Sequence, residues 1–251
     1  MTNLYQANPA VVGACDCADG THVHADAGHA GLARRRFLAA GAAAMAAGGA
    51  ISLAAPGARA QTSLTPDGAM DQLMAGNARF MRNQLDSFKE DLDILKEGTV
   101  AKQEPFAAVL SCIDSRVPVE LVFDQSIGHL MVARVAGNVV TPEVIASLEY
   151  AAAVVGTKVI VVLGHEGCGA VKAAIAGKAV PGQISVLYRP LRPAVDQGGS
   201  DVEAVAKANA RIQAGLLATA SPVIADLIKQ GQVRVVAAYY ALATGKVTVL
   251  G

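Results

Sequence analysis

The stretch KVIVVLG, residues 158–164, restricts the possible folds of this chain more than any other. Its apolar residues, most of them β-branched, follow one another without the polar alternation of a strand that faces water on one side. A continuous apolar run of this length is typical of a strand in a parallel sheet whose two faces are both covered by helices. The stretch therefore predicts a central strand of an α/β domain.

Strands and helices alternate along the rest of the chain. Further strands are predicted at PFAAVLSC, LMVARV and QVRVVAAYYAL, and VTVLG follows the turn ATGK to form a terminal hairpin. Helices are predicted from Pro66 and over residues 88–97, VPVELVFD, TPEVIASLEYAAAVVG, GCGAVKAAIAG, residues 201–219 and SPVIADLIKQG. The fold class is therefore α/β, with a mainly parallel β-sheet flanked by helices and an antiparallel edge hairpin at the C-terminus.

Residues 1–60 are predicted to be a twin-arginine signal peptide that is removed by cleavage. Arg34 and Arg35 precede Phe37, an uncharged Ala/Gly-rich run extends to Ala55, and residues 58–60 match an A-x-A cleavage pattern. A transmembrane helix is the alternative, since the run is long enough, but Ala and Gly contribute little insertion energy. We expect residues 61–251 to form one mature domain that the twin-arginine machinery carries to the periplasm or otherwise exports, without stable membrane insertion.

Composition argues against nucleic-acid binding, and a second possible metal-binding tract lies in the leader. Net charge is zero, with 21 basic and 21 acidic residues, so the clustered positive surface that nucleic acid requires is not expected. A Cys/His-rich tract that could bind metal precedes the arginines. It lies in the leader, so we expect no functional site there; its members are Cys15, Cys17, His22, His24 and His29.

Two polar clusters directly follow predicted strands. SCIDSR contains Cys112, Asp114 and Arg116, and LGHEGCGA contains His165 and Cys168. If the two strands are neighbours, the side chains meet at the carboxyl edge of the sheet, where ligand sites of α/β sheets form. Two thiolates and an imidazole suit tetrahedral zinc and leave a fourth position for water or substrate. The pattern predicts one catalytic Zn²⁺ per chain, with Asp114 as a further candidate ligand that Arg116 could hold as a bidentate pair.

Simpler interpretations exist for these residues. Taken singly, Cys112 fits an ordinary buried cysteine, His165 a helix cap, and Asp114 with Arg116 a local ion pair. In an exported protein Cys112 and Cys168 could form a disulfide. A thiol enzyme in which His165 activates Cys168 is a further alternative. A phosphate loop is rejected because the Gly-Lys-Ser/Thr ending is absent.

The segments SCIDSRVP, VARVAGNVVTPEVIASLEYA and VVLGHEGCGAVKAAI resemble the β-class carbonic anhydrases. The resemblance implies Cys112, His165 and Cys168 as zinc ligands and Asp114 with Arg116 as a catalytic dyad. It also implies that Asp114 either binds zinc or turns to Arg116 and admits water. The implied activity is reversible hydration of CO₂ to bicarbonate and a proton by zinc-bound hydroxide. Two thiolates oppose ionisation of the water, so activity is expected to favour alkaline pH.

The same scaffold leaves other functions open. CS₂ or COS hydrolysis uses the same chemistry on other substrates, and a non-catalytic zinc-binding protein would keep the ligands without turnover. The resemblance implies a homodimer or higher homo-oligomer, and residues 67–97 are expected to reach across to the partner. Departures from the family pattern are Val135 where Asn is common, His129 where Asp or Glu is usual, Gln125 offset by one position, and Val109 where some members have Trp.

Overall fold

The computed structural model describes residues 62–87, 100 and 103–251. A five-stranded sheet is formed by β1 (Ala107–Ser111), β2 (Leu130–Arg134), β3 (Val159–His165), β4 (Arg234–Tyr240) and β5 (Val247–Leu250). The strand order is β2-β1-β3-β4-β5, with the first four strands parallel and β5 antiparallel to β4. This arrangement confirms the predicted fold class.

Seven helices of the described residues flank the sheet. They are α1 (Pro66–Met81), α2 (Val119–Val122), α3 (Pro142–Glu149), α4 (Gly169–Ala176), α5 (Tyr188–Gly198), α6 (Val202–Ala220) and α7 (Pro222–Lys229). A 3₁₀ turn, Ala136–Asn138, follows β2, a π-helical turn, Tyr150–Val155, continues α3, and a second 3₁₀ turn, Gly182–Leu187, precedes α5. The predicted helix at 88–97 lies outside the described residues.

One helix was not predicted from the sequence. α5 contains Pro190 in its first turn and Pro193 in its interior, and prolines ordinarily indicate that a helix ends. Its Leu191 and Ala194 are nevertheless fully buried against neighbouring elements. Burial of this face stabilises a helix that its local sequence does not favour, because tertiary packing supplies most helical stability in proteins.

The core lies on both faces of the sheet, as the run in β3 predicted. All seven residues of β3 are buried. Because side chains alternate between faces along a strand, Val161 packs with Leu73 of α1 on one side, whereas Val162 packs with Leu148 of α3 and Leu217 of α6 on the other. β2 is an edge strand of this sheet, and most of its side chains are only half-buried.

Helix α1, part of the segment 67–97 that was expected to reach across to a partner, packs on its own chain. Leu73 is fully buried in the core, and Asn77 donates to the carbonyl oxygens of Val122 and Gly245. The approach requires glycine at position 76, since a Cβ there would lie 1.8 Å from the carbonyl oxygen of Phe123. The pattern of α1 is therefore explained within one chain.

Within residues 62–87 and 103–251, no single helix is both long and apolar enough to cross a membrane. Only α6 and α7 together, a pair bent by 92°, have the length and composition of a span.

Candidate metal centre

The carboxyl ends of β1 and β3 bring the two polar clusters together. Ser111 of β1 pairs with Leu163 of β3, so Cys112 and His165 leave neighbouring strands at the same sheet edge. Gly167 then adopts a φ of +65°, a left-handed conformation that favours glycine and allows the chain to turn back within two residues. Cys168 consequently lies directly before the first residue of α4 and faces the other two side chains.

The ligand atoms of Cys112, His165 and Cys168 lie within 4.8 Å of one another. Ligands at zinc distances of about 2.0–2.3 Å in a tetrahedral arrangement would be separated by somewhat less than about 4 Å. All three residues are buried, with His165 fully so. The donor set and its spacing therefore fit a zinc ion with only a small contraction.

The orientation of His165 supports this fit. Its Nδ1 lies 2.9 Å from the carbonyl oxygen of Glu166, and because a carbonyl can only accept, Nδ1 carries the proton. The lone pair is then on Nε2, which is buried and has no hydrogen-bond partner. A buried polar atom left without a partner costs about 1–3 kcal/mol. A metal ion would bind this atom, and the Nδ1–H bond is the outer contact that metal-binding histidines typically make.

The contact between the two thiols shifts their pKa values in opposite directions. Donation from the Cys168 thiol lowers the pKa of Cys112 to about 4, helped by the backbone N–H of Gly137. The same contact raises the pKa of Cys168 well above its usual range. Both cysteines are free in the structure. A buried thiolate is negatively charged, and its charge opposes ionisation of the second thiol. A bound dication would stabilise both thiolates.

Asp114 and Arg116 form a bidentate pair beside this cluster. Arg116 donates from Nε to Oδ1 at 2.9 Å and from Nη2 to Oδ2 at 2.8 Å, and its backbone N–H donates to Oδ1 at 3.0 Å. The side-chain bond to Arg116 holds the pKa of the Asp114 carboxyl well below its usual range. The carboxylate is turned to Arg116 and is not among the three clustered ligand atoms. This is one of the two arrangements that the family resemblance implied.

Arg134 is a site residue that the sequence analysis did not identify. It ends β2 at the same sheet edge and donates from Nε to the Cys112 carbonyl at 2.8 Å and from Nη2 to the Asp114 carbonyl at 2.6 Å. The guanidinium therefore holds the backbone of the segment that carries both side chains. A basic residue at a strand end was the available signal, but its carbonyl targets follow only from the packing of β2 on β1.

The positions at which the chain departs from the family pattern lie in different places. The Val135 N–H donates to the Ser111 carbonyl oxygen at 3.1 Å, close to Cys112. His129 precedes β2 and packs against Phe106 at the opposite, amino end of the strands. Gln125 donates to the Phe123 carbonyl and lines a cavity together with His129. Of these three, Val135 alone is bonded next to the candidate metal centre.

The family model and the relative that match this chain carry the same description. A family model described as carbonic anhydrase matches residues 107–247. The protein named Carbonic anhydrase 2 of Mycobacterium tuberculosis is 33% identical over 189 residues, which cover 72% of this chain and 91% of that relative. Residues 107–247, which the family model matches, contain both polar clusters of the candidate metal centre.

Solved structures share the fold. A tetrameric β-carbonic anhydrase of Sordaria macrospora superposes with a TM-score of 0.61 at 24% identity, covering 65% of this chain and 90% of its own. The Coccomyxa β-carbonic anhydrase, solved with acetazolamide, gives a TM-score of 0.55 at 27% identity, covering 65% of this chain and 82% of its own. The sheet and its flanking helices are therefore those of the β class.

Proposed function

Because this chain belongs to the carbonic anhydrase family and has the β-class fold, we propose that it hydrates CO₂ reversibly at a zinc ion held by Cys112, His165 and Cys168. The observation that carries the proposal is the buried cluster of three ligand atoms within 4.8 Å, in which Nε2 of His165 has no other partner. The Asp114–Arg116 pair beside the cluster distinguishes it from a purely structural zinc site, which does not require such a pair.

The residues around the cluster have separate tasks. Bound zinc supplies a Lewis acid that makes water a nucleophile near neutral pH. Asp114 is ionised and can only accept hydrogen bonds, so it is suited to orient that water. Arg116 occupies both carboxylate oxygens from one side and thereby fixes the direction in which Asp114 accepts. Fixed orientation of this kind lowers the entropic part of the barrier.

The direct test is a measurement of CO₂ hydration and zinc content on the same purified sample. We expect one zinc per chain and a hydration rate that is lost when a chelator removes the metal and returns when zinc is added. Activity without zinc would favour the thiol enzyme. Full zinc occupancy without hydration activity would favour a non-catalytic zinc protein.

We further propose that the chain forms a homodimer or a higher homo-oligomer. The Sordaria macrospora relative is described as tetrameric. In this chain β2 is a sheet edge whose Leu130–Ala133 side chains are only half-buried, and Ile127 beside it is 45% exposed. An apolar strand edge of this kind is a ready surface for association with another chain. Light scattering at micromolar concentration should give at least a dimer, and a monodisperse monomer would contradict the proposal.

Export by the twin-arginine route is a third proposal, and its support is the leader together with the free thiols. Zinc ligation requires Cys112 and Cys168 to be reduced, and both are unpaired and adjacent in the folded chain. The twin-arginine signal class implies export of proteins that are already folded. Zinc would then be loaded in the reducing cytoplasm, and the bound metal would protect both thiols from oxidation outside it.

Arg34→Lys combined with Arg35→Lys should retain active, uncleaved enzyme in the cytoplasm. Arg36→Lys is the matched control, because Arg36 lies between the pair and Phe37 and should not be required. Cell fractionation with activity measured in each fraction reports both results. Equal export of the double variant and wild type would exclude the twin-arginine route. Rerouting the mature chain through an unfolded-protein pathway should yield zinc-poor protein; full zinc after rerouting would show that folding before export is unnecessary.

A further inference from the structure

Helix α6 carries two polar side chains on a face that is otherwise apolar. Asn209 is 0% and Gln213 1% exposed, whereas the other buried positions of the helix are Ala, Val and Leu. The spacing of four residues places the two amides on the same side of the helix. Burying an amide without hydrogen bonds costs free energy, and an apolar residue would pack there more cheaply. Their presence therefore indicates specific partners.

The two amides form a continuous chain of hydrogen bonds. Asn209 donates from Nδ2 to the carbonyl oxygen of Gly137 at 2.8 Å and accepts at Oδ1 from Nε2 of Gln213 at 3.1 Å. Gln213 accepts at Oε1 from the Val140 N–H at 2.8 Å and also donates to the Pro190 carbonyl at 3.2 Å. Gly137 in the turn Ala136–Asn138 and Val140, two residues after it, are thus both bonded to side chains of α6.

Gly137 links this chain to the metal centre. Its N–H donates to Sγ of Cys112 at 3.3 Å, while its carbonyl oxygen accepts from Asn209. The residue has a φ of +74°, and an added Cβ would lie 3.3 Å from both Ala170 of α4 and Leu191 of α5. The turn is therefore closely packed on both sides. The side-chain amide of Asn209 bonds to the carbonyl of Gly137, and the N–H of the same residue contacts the sulfur of Cys112.

We propose that Asn209 and Gln213 are positioning residues of the metal centre, acting through Gly137 on the Cys112 thiolate. An N–H donor withdraws charge from the sulfur and fixes its direction, and outer hydrogen bonds of this kind orient metal ligands. Asn209 keeps the peptide of Gly137 turned so that its N–H points at the sulfur. The inference rests on the proposed zinc site.

A purely structural role would require only that the amides stabilise the turn. Asn77 provides the matched control, because it is another buried amide with three hydrogen bonds, to the carbonyl oxygens of Val122 and Gly245 and from the N–H of Val247. None of these bonds reaches a residue of the metal centre. Asn77→Leu should therefore lower stability as Asn209→Leu does, without any effect on the metal ligands.

The test compares wild type, Asn209→Leu, Gln213→Met and Asn77→Leu, each loaded with cobalt(II) or zinc. Loss of the N–H donor makes the sulfur a stronger electron donor, so the sulfur-to-cobalt charge-transfer band of Asn209→Leu should shift to lower energy. Zinc affinity, measured by competition with a chelator, should fall about tenfold or more. Gln213→Met should change both quantities in the same direction by less, and Asn77→Leu should match wild type in both.

An unshifted band and unchanged zinc affinity in Asn209→Leu would overturn the inference and leave the amides a structural role. If Asn209→Leu does not fold, Gln213→Met decides in the same way. Equal band shifts in Asn209→Leu and Asn77→Leu would also overturn it, because the effect would then follow general destabilisation. Failure of the wild type to bind either metal would instead overturn the proposed zinc site, and this inference with it.

Discussion

Replacement of Cys112, His165 or Cys168 by alanine is expected to abolish zinc binding and CO₂ hydration together. The three ligand atoms converge from two strand ends, and Asp114, the nearest other candidate, is held by Arg116. With one ligand removed, the remaining pair cannot complete a tetrahedral site from protein atoms. Zinc per chain and hydration rate, measured on the same preparation, should both fall to the background of the assay.

The chain contains matched controls for this result. His129→Ala removes the other histidine of residues 61–251, at the opposite end of the strands, and Cys15→Ala removes a leader cysteine. Both variants should keep full zinc and activity. Wild-type zinc occupancy in any of the three ligand variants would refute the assignment of that residue. Loss of zinc with activity retained in Cys112→Ala, which leaves His165 and Cys168 in place, would instead favour the thiol enzyme.

Asp114→Asn and Arg116→Ala should keep zinc but lose turnover. Neither residue belongs to the ligand cluster, and their bidentate pairing fixes a carboxylate rather than a metal. Positioned acid–base groups contribute about 10²–10⁴-fold to rate, so we expect hydration to fall about 100-fold or more in each variant. Arg116→Lys should be intermediate, because lysine keeps the charge but cannot bind both oxygens in the same geometry.

The pH dependence separates orientation from charge in these variants. Without Arg116, the main cause that depresses the pKa of Asp114 is removed, and its pKa should rise toward the ordinary value of about 3.9. Asp114 would still be ionised at neutral and alkaline pH, so the defect of Arg116→Ala should persist there if orientation matters. Wild-type hydration rates of Arg116→Ala at neutral and alkaline pH would show that the charge of Asp114 alone is needed. Arg192→Ala, which removes an exposed ion pair with Asp196, is the control and should have no effect.

Much of the fold follows from local pattern. The unbroken apolar run of β3 identifies a strand covered on both faces, and Thr141 with Pro142 correctly predicts the start of α3. Burial and capping act over a few neighbouring residues, so their signals are readable in the sequence. α5 was not predicted, because Pro190 and Pro193 oppose a helix locally and only packing against other elements overcomes this.

The candidate site also has features that the sequence shows and features that depend on packing. Residue type and placement at two strand ends were enough to nominate Cys112, Asp114, Arg116, His165 and Cys168, because thiolates, imidazole and a charged pair are uncommon at the ends of buried strands. The parallel order of the strands then brings them together. The sequence by itself thus determined the candidate ligand set and the type of sheet edge on which it lies.

Only the tertiary structure decided how the candidate ligands are held. Arg134 bonds carbonyls 22 and 20 residues away, and Asn209 reaches Gly137 across 72 residues before Gly137 reaches Cys112 across another 25. These hydrogen bonds form only because β2 lies beside β1 and α6 packs over the ends of the strands. A buried amide shows in the sequence only that a partner must exist, because unpaired polar groups are costly to bury. The atom that bonds to it is set by packing.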